Sequence, residues 1–296
     1  MKFGISIYSI SRKIISGEIT PVGAVEWLAK EAGAEVIELT PFGIDIIADD
    51  KLAGELKKVA EENGSIINNY SLNANFLQLS NSAYKSELER VKLHIDGAAK
   101  LGVGTMRIDS SSYRREPEDN NIENFIADLP LIAGVYEQLC DYARQHNIVI
   151  LIENHGFHIN GSDRVGAVLS QVECGNFSHQ LDAGNFLCVD ETPESAVKRL
   201  VSKAMTIHMK DFYIRDEDND PGDATQFDCS GSWFRSQHGA YLRGSILGQG
   251  DMNMKKIAKI IKDSGFNGCV YLEFEGMEDC YYGTKVGFDN MKKLLG

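Results

Sequence analysis

The stretch IVILIEN (148–154) decides the fold of this 296-residue chain. It is an almost wholly apolar run that ends in polar residues, and such a run is typical of a β-strand buried on both faces of a parallel sheet. Three similar runs follow it, each after an interval long enough for a helix: SHQLD (178–182), MTIHMKD (205–211) and CVYLEFE (269–275). The second half of the chain therefore predicts four parallel strands joined by helical crossovers.

The first half shows the same alternation with weaker patterns. Its strand-like runs are FGISI (3–7), EVIEL (35–39), SIINNYSL (65–72) and TMRID (105–109). Thr20-Pro21 and Thr192-Pro193 each place a cap residue before a proline at the first helical position, and Ser162 is a third expected cap. The predicted helices cover roughly 21–33, 50–62, 82–101, 122–146, 162–173, 192–203, 252–264 and 284–295.

Eight strands alternating with eight helices favour an α/β fold, a single (β/α)8 TIM barrel, over an open doubly wound sheet. No GxGxxG follows the first strand, which argues against a dinucleotide-binding fold. Because there is no linker or low-complexity stretch, we expect residues 1–296 to form one domain. The irregular segment at about 214–248 predicts a long loop. Such a loop is as consistent with a functional role as it is with a surface excursion or an oligomer contact.

The composition indicates a cytoplasmic globular protein with no nucleic-acid or membrane partner. Its formal net charge is −13, and a protein that binds a phosphate backbone needs a basic face strong enough to overcome such a field. The N-terminal residues lack the apolar core of a secretion signal, and no apolar run is long enough to span a bilayer. The six cysteines form no CxxC pair, which is typical of reduced thiols.

Metal-ligand side chains stand at the ends of the last four predicted strands, where a TIM barrel has its active site. They are Glu153 in LIENHG, Asp182 in QLDAGN, His208 in IHMKD and Glu273 in YLEFEG. A lone carboxylate in such apolar runs is costly to desolvate, and one shared divalent cation would compensate all of them. Three carboxylates and one imidazole favour Mn²⁺ or Mg²⁺, with Co²⁺ or Zn²⁺ as alternatives.

The chain resembles the sugar phosphate isomerase/epimerase family, the xylose isomerase-like TIM barrels that also include ketose 3-epimerases and AP endonucleases. The resemblance covers the second half in the family's order and spacing, and the first half only generally. It rests on LIENHG (151–156), LDAGNF (181–186), IHMKDF (207–212), LGQGDMNMKKI (247–257) and GFNGCVYLEFEGMED (265–279). It implies that the four side chains bind one metal and that Glu153 and Glu273 are also the catalytic acid/base pair on opposite faces of a sugar.

The resemblance thus implies a metal-dependent isomerase or epimerase of a sugar, sugar phosphate or related polyol ketone. Both reactions begin by removing a proton next to a carbonyl, which produces an enediolate that a metal stabilises. Return of a proton to the opposite face epimerises the centre, whereas return to the neighbouring carbon moves the carbonyl. The implied partner is a small carbohydrate. Because relatives are often dimers or tetramers, a homo-oligomer is also implied.

Five neighbouring residues are further candidates. His155, Lys210 and Arg107 are candidate substrate contacts, with a structural loop histidine, a solvated lysine and a barrel-end salt bridge as the alternatives. Asn185, also a candidate substrate contact, stands where many relatives carry histidine, which weakens the case for a second or third metal. Glu275 shares strand parity with Glu273, and the resemblance makes it a supporting partner of that residue.

Three other functions compete with the isomerase or epimerase. A lyase or dehydratase, acting on an inosose or an oxidised glycoside, would use the same metal and base but expel a leaving group. An AP endonuclease would need three metals and extra histidines, which NNYSLN, MRID and DAGN do not supply. A non-catalytic binding protein would have no need of four intact ligands.

Overall fold

Eight parallel strands close into a barrel in the computed structural model of the chain, which describes residues 1–49, 51–111, 119–222 and 231–296. The strands are β1 (Lys2–Ser6), β2 (Val36–Leu39), β3 (Ile66–Leu72), β4 (Thr105–Ile108), β5 (Val149–Glu153), β6 (Phe177–Asp182), β7 (Ala204–Met209) and β11 (Cys269–Leu272). The barrel closes because β1 pairs in parallel with both β2 and β11. The predicted TIM barrel is therefore confirmed.

Helices surround the barrel and bury one face each against it. They are α1 (Ser11–Ile15), α2 (Pro21–Lys30), α3 (Leu52–Glu62), α4 (Asn81–Leu101), α5 (Ile122–Arg144), α6 (Ser162–Gln171), α7 (Pro193–Leu200), α8 (Met254–Asp263) and α9 (Cys280–Leu295). In α8 the buried residues Met254, Ile257, Ala258 and Ile261 recur at the spacing of one helical face. The short α1 was not predicted. Among the helices described, none combines the length and apolar character needed to cross a membrane.

The predicted cap positions are confirmed at Thr20 and Thr192, and the side-chain cap bond is present at Thr20. The Thr20 hydroxyl accepts a hydrogen bond from the Gly23 N–H at 3.1 Å, as expected of a cap. Thr192 precedes α7 without a side-chain cap bond. Ser162 is the first residue of α6 rather than its cap, and its N–H donates to the Glu191 carboxylate at 2.7 Å. A carboxylate from a later loop therefore satisfies the start of this helix.

The interior of β5 shows why apolar runs predicted the strands well. Ile150, Leu151 and Ile152 point alternately to opposite faces of the strand, yet each is at most 1% exposed. One face packs inside the barrel and the other packs under the helices, so both need apolar side chains. The hydrophobic core accordingly has two parts. One fills the barrel interior, and the other lies between the barrel strands and the surrounding helices.

The prediction of a long loop at about 214–248 is wrong for the described part of that segment. Strands β8 (Asp211–Arg215), β9 (Phe234–Arg235) and β10 (Tyr241–Ser245) form an antiparallel sheet in the order β8-β10-β9. Residues 223–230 lie outside the described residues.

Two barrel strands end two or more residues earlier than predicted. Strand seven was expected to reach residue 211, but β7 ends at Met209 and Asp211 starts the antiparallel sheet. The buried Asp211 carboxylate accepts hydrogen bonds from the N–H groups of Gly248 and Gly250 at 2.8 and 3.0 Å, which anchors the following loop. Strand eight was expected to reach residue 275, but β11 ends at Leu272, so Glu273 lies just beyond it.

The described cysteines, Cys140, Cys174, Cys188, Cys269 and Cys280, carry free thiols. Cys229 lies outside the described residues.

Candidate active site

The three predicted carboxylate ligands surround the ring of the fourth ligand, His208, at the carboxyl ends of the barrel strands. Nδ1 of His208 lies 3.7 Å from Glu153 Oε1, 3.8 Å from Asp182 Oδ2 and 3.7 Å from Glu273 Oε2. Suitable atoms of Glu153, Asp182 and His208 all lie within 4.8 Å of one another. Neighbouring strands produce this convergence, since Asp182 on β6 pairs in register with His208 on β7.

The turn after β6 presents Asp182 to this point. Its Oδ1 atom accepts hydrogen bonds from the N–H groups of Gly184 and Asn185, at 2.7 and 2.9 Å. These bonds orient the carboxylate, so that Oδ2 faces His208.

The site residues fit a divalent cation. Asp182 Oδ2 and His208 Nδ1 are among the buried polar atoms that make no hydrogen bond within the described residues. Buried polar atoms in proteins nearly always have a hydrogen-bond partner, and His208 Nδ1 faces the carboxylates of Glu153, Asp182 and Glu273. Three carboxylates and one imidazole can satisfy the ligand preferences of Mn²⁺, Mg²⁺ or Zn²⁺.

Lys210 is a buried cation in contact with the acidic side of the site. Its Nζ atom lies 2.6 Å from Glu273 Oε2, 3.2 Å from Glu275 Oε2 and 3.4 Å from Asp182 Oδ2. The ammonium group also donates to Asn185 Oδ1 at 3.1 Å. Burial would lower the pKa of Lys210, but the surrounding carboxylates raise it well above its usual value. Lys210 is therefore a fixed positive charge.

The two predicted acid/base residues lie in different electrostatic surroundings. Burial raises the pKa of Glu153 to about 7, even though Arg107 and His208 act in the opposite direction. Burial acts in the same sense on Glu273, but there the Lys210 ammonium and the His208 ring outweigh it and hold the pKa well below its usual range. Glu153 can thus gain or lose a proton near neutral pH whereas Glu273 stays ionised, a division that suits an acid/base pair.

Arg107 and His155 lie on the Glu153 side of the site. Arg107 Nε is 2.8 Å from Glu153 Oε2, and its Nη1 atom is 3.0 Å from Asp109 Oδ1. Nδ1 of His155 is 2.9 Å from the other oxygen of Asp109. Arg107 therefore forms the barrel-end ion pair that was its alternative interpretation. Asn185, through its Nδ2 atom, donates to Glu153 Oε1 at 3.4 Å, so it links Glu153 with Lys210.

An open cavity of about 230 Å³ leads to these groups. The predicted residues that line it are Arg107, Glu153, His155, Lys210, Glu273 and Glu275. Tyr8 and Phe42, which were not predicted, also line it and pack edge to face with their ring centroids 5.4 Å apart. His155, Asn185, Lys210 and Glu275 line an adjoining smaller cavity next to Phe157 and Phe212. A substrate in the larger cavity would meet an aromatic wall as well as the charged groups.

Sequence reasoning missed Glu38 and Asp109, which contact His208 and Arg107 respectively. Both were within strand-like runs, Glu38 in EVIEL and Asp109 at the end of TMRID. A carboxylate inside an apolar run is the same signal that selected Glu153, so the signal was present in the first half of the chain.

The chain belongs to the xylose isomerase-like TIM barrel family, whose sequence profile matches residues 28–293. A xylose isomerase-like TIM barrel protein from Mycobacterium smegmatis, solved in complex with magnesium, is 18% identical to the chain. The match covers 93% of this chain and 89% of that protein, with a TM-score of 0.66.

Two further solved structures span nearly the whole chain. D-psicose 3-epimerase from Clostridium cellulolyticum H10, solved with D-tagatose, is 15% identical with a TM-score of 0.73, and the match covers 100% of this chain and 99% of that protein. The probable 3-DHS dehydratase of Bacillus anthracis is also 15% identical with a TM-score of 0.71, and the match covers 99% of each chain. At these identities the likeness shows the fold alone. No match is found among curated protein sequences.

Proposed function

We propose that this protein is a divalent-metal-dependent isomerase or epimerase acting on a small carbohydrate or related polyol ketone. The observation that carries the proposal is His208 Nδ1, a buried atom that makes no hydrogen bond within the described residues and faces the carboxylates of Glu153, Asp182 and Glu273 at the barrel mouth. Glu153, Asp182, His208 and Glu273 would hold the metal, with Mn²⁺ or Mg²⁺ favoured by the oxygen-rich ligand set.

Glu273 is suited to remove the proton next to the substrate carbonyl. Lys210 contacts its carboxylate at 2.6 Å and favours the ionised form that a base requires. Glu273 also lines the open cavity, so a substrate carbon can approach it.

Glu153 is suited to deliver a proton to the other face of the same carbon or to its neighbour. Its carboxyl and that of Glu273 both lie 3.7 Å from His208 Nδ1, and burial raises the pKa of Glu153 to about 7, so it can exchange a proton near neutral pH. Arg107 and Asn185 contact its two oxygens and hold its orientation. The side of the carbon to which the proton returns decides between epimerisation and movement of the carbonyl.

When bound, the metal would supply positive charge next to the substrate oxygens that become negative in the enediolate. Its contribution adds to that of Lys210, whose ammonium group lies in the same cavity. Low-dielectric surroundings strengthen both interactions, because these groups are largely buried.

A lyase or dehydratase is a second candidate. Burial raises the pKa of Glu275, which makes this carboxyl easier to protonate, and it lines both cavities. Such a group can protonate a leaving hydroxyl or alkoxide after Glu273 has removed the first proton. The fold similarity to a probable 3-DHS dehydratase is consistent with this alternative.

Solvent exchange in D2O tests the proposed function. The full chain would be incubated with ketoses, aldoses and 3-keto glycosides, with Mn²⁺ or with a chelator, and carbon-bound deuterium would be followed by NMR and mass spectrometry. We expect Mn²⁺-dependent deuterium at one carbon of at least one class with the mass otherwise conserved. Loss of water or an alcohol would favour the second candidate. A metal-loaded protein that exchanges no carbon-bound proton in any class would contradict both.

A further inference from the structure

A buried carboxylate in the first half of the barrel contacts the candidate ligand His208 on the side of the ring that faces away from the site carboxylates. Glu38 ends the apolar part of β2 and is 0% exposed. Its Oε2 atom lies 2.9 Å from His208 Nε2, the ring nitrogen opposite the one that faces the three site carboxylates. The ring of His208 is thus held between Glu38 and the candidate metal position.

The other partners of Glu38 determine the direction of this hydrogen bond. The Ser6 hydroxyl lies 2.7 Å from Oε1, and the Asn69 side-chain Nδ2 donates to Oε2 at 2.6 Å. The Thr105 hydroxyl donates to Asn69 Oδ1 at 2.8 Å, which keeps the amide N–H₂ toward Glu38. An ionised carboxylate can only accept hydrogen bonds, so Nε2 of His208 has to be the donor.

A proton on Nε2 leaves the Nδ1 lone pair of a neutral imidazole free to bind a cation. Nδ1 is also the nitrogen that has no hydrogen-bond partner among the described residues. The contact with Glu38 further restricts rotation of the ring, because turning it would break the 2.9 Å bond inside a packed barrel.

We propose that Glu38 is a positioning residue for the candidate active site: it selects the Nε2–H form of His208 and thereby presents Nδ1 to the metal. Ser6 and Asn69 support it by holding its two oxygens. The inference rests on the proposed function only in taking His208 as a metal ligand. Carboxylates that accept from a metal-bound histidine typically contribute 10- to 100-fold to metal affinity.

Mn²⁺ binding to the full chain tests the effect on affinity, with free Mn²⁺ measured by electron paramagnetic resonance. We expect E38L to weaken binding about 10- to 100-fold. We expect E38Q to recover part of that loss, because its amide oxygen can still accept from Nε2–H. The matched control is E55L, the same substitution at an exposed position of α3, which should leave the dissociation constant within about twofold. Equal binding by E38L and the wild type would overturn the proposal.

Histidine ring NMR tests the proton position independently of variant stability. In wild-type protein labelled with ¹⁵N-histidine and loaded with diamagnetic Mg²⁺, we expect His208 to carry its proton on Nε2. A proton on Nδ1 with bare Nε2 would overturn the proposal. If the wild type binds neither Mn²⁺ nor Mg²⁺, the proposed function fails. The metal-free spectrum then still tests Glu38, because an Nε2 proton is expected in the wild type and its absence would contradict the inference.

Discussion

The hydrogen bonding of buried polar groups differs between the two halves of the barrel. On β1 to β4, Ser6, Glu38, Asn69 and Thr105 form a continuous chain of hydrogen bonds. At the ends of β6 and β7, Asp182 Oδ2 and His208 Nδ1 are buried and make no hydrogen bond within the described residues, although Lys210 Nζ lies 3.4 Å from Asp182 Oδ2. Since a buried polar atom without a hydrogen bond costs free energy, the second half is incomplete at this point without a ligand, whereas the four-residue chain on β1 to β4 is not.

The difference shows that residues in one half of the barrel can orient a side chain whose reactive atom lies in the other half. The closed hydrogen-bond network reaches across the barrel to His208 through Glu38, at 2.9 Å. It therefore positions a side chain whose reactive atom belongs to the incomplete half. The carboxylates of that half remain close together because Lys210 and Arg107 offset part of their mutual repulsion.

The largest expected effect comes from changing the base in the incomplete half. E273Q keeps the size of the side chain but removes the group that accepts the substrate proton, so we expect the rate of deuterium exchange to fall roughly 10²- to 10⁴-fold. The rate would be measured in D2O with saturating Mn²⁺. E55Q, the same change on the exposed face of α3, is the control and should retain the wild-type rate. Full exchange by E273Q would rule out Glu273 as the base.

A substitution at His179 tests whether a buried polar atom without a hydrogen-bond partner is sufficient to identify a functional site. His179 on β6 is 0% exposed, and neither ring nitrogen has a hydrogen-bond partner among the described residues. Burial lowers the pKa of His179 to about 3. Unlike His208, it is not among the groups of side chains arranged to hold a cation in the described part of the chain. We therefore expect His179 to affect stability and not exchange activity.

The sign of the His179 effect follows from the two pKa values. The unfolded chain binds a proton near the ordinary value of 6.5, whereas the folded protein resists protonation until about 3. The contribution of His179 to the free energy of unfolding is therefore fully present above pH 6.5 and is lost as the pH falls toward 3. The expected loss is about 3 kcal/mol between pH 7 and pH 4.

H179L should remove this part of the acid sensitivity, as measured by urea unfolding at pH 7, 5.5 and 4. H238Q, at an exposed histidine, is the control and should follow the wild type. If H179L loses stability with falling pH in parallel with the wild type, the assignment to His179 is incorrect.

The smallest expected effect is the stabilisation by metal. At a free Mn²⁺ concentration about 100 times the dissociation constant, binding should raise the free energy of unfolding by about 2.7 kcal/mol. D182N retains the oxygen that accepts from Gly184 and Asn185 but replaces Oδ2, which lies 3.4 Å from Lys210 Nζ and makes no hydrogen bond within the described residues, with an amide nitrogen. We expect this variant to lose the Mn²⁺-dependent gain in the free energy of unfolding.

Urea unfolding of D182N and the wild type, each with Mn²⁺ or a chelator, provides the comparison. An equal gain from Mn²⁺ in both proteins would show that Asp182 is not a ligand.

The barrel could be predicted from the sequence because its strands are buried on both faces. Continuous apolar runs such as VILI in β5 are strong local signals, and all eight barrel strands were located within a few residues. The small sheet of β8, β9 and β10 could not be predicted in the same way. Its strands DFYIR and YLRGS mix polar and apolar residues, and they pair across more than twenty intervening residues.

The candidate site was predictable where a charged group interrupts an apolar run at a strand end. That signal selected Glu153, Asp182, His208 and Glu273 as candidates, and their role as metal ligands stays a prediction. The pairing of Arg107 with Glu153 and of Lys210 with Glu273 depends on distances between strands, which the order of residues does not contain. Glu38 shows the same signal, but its partner is 170 residues away on β7.

Anomalous X-ray scattering from a crystal grown with Mn²⁺ tests the central claim most directly, because it locates the cation without reference to activity. The account predicts a single peak per chain, coordinated by Glu153, Asp182, Nδ1 of His208 and Glu273. No peak at that point, a peak coordinated by other residues, or a cluster of three would contradict it.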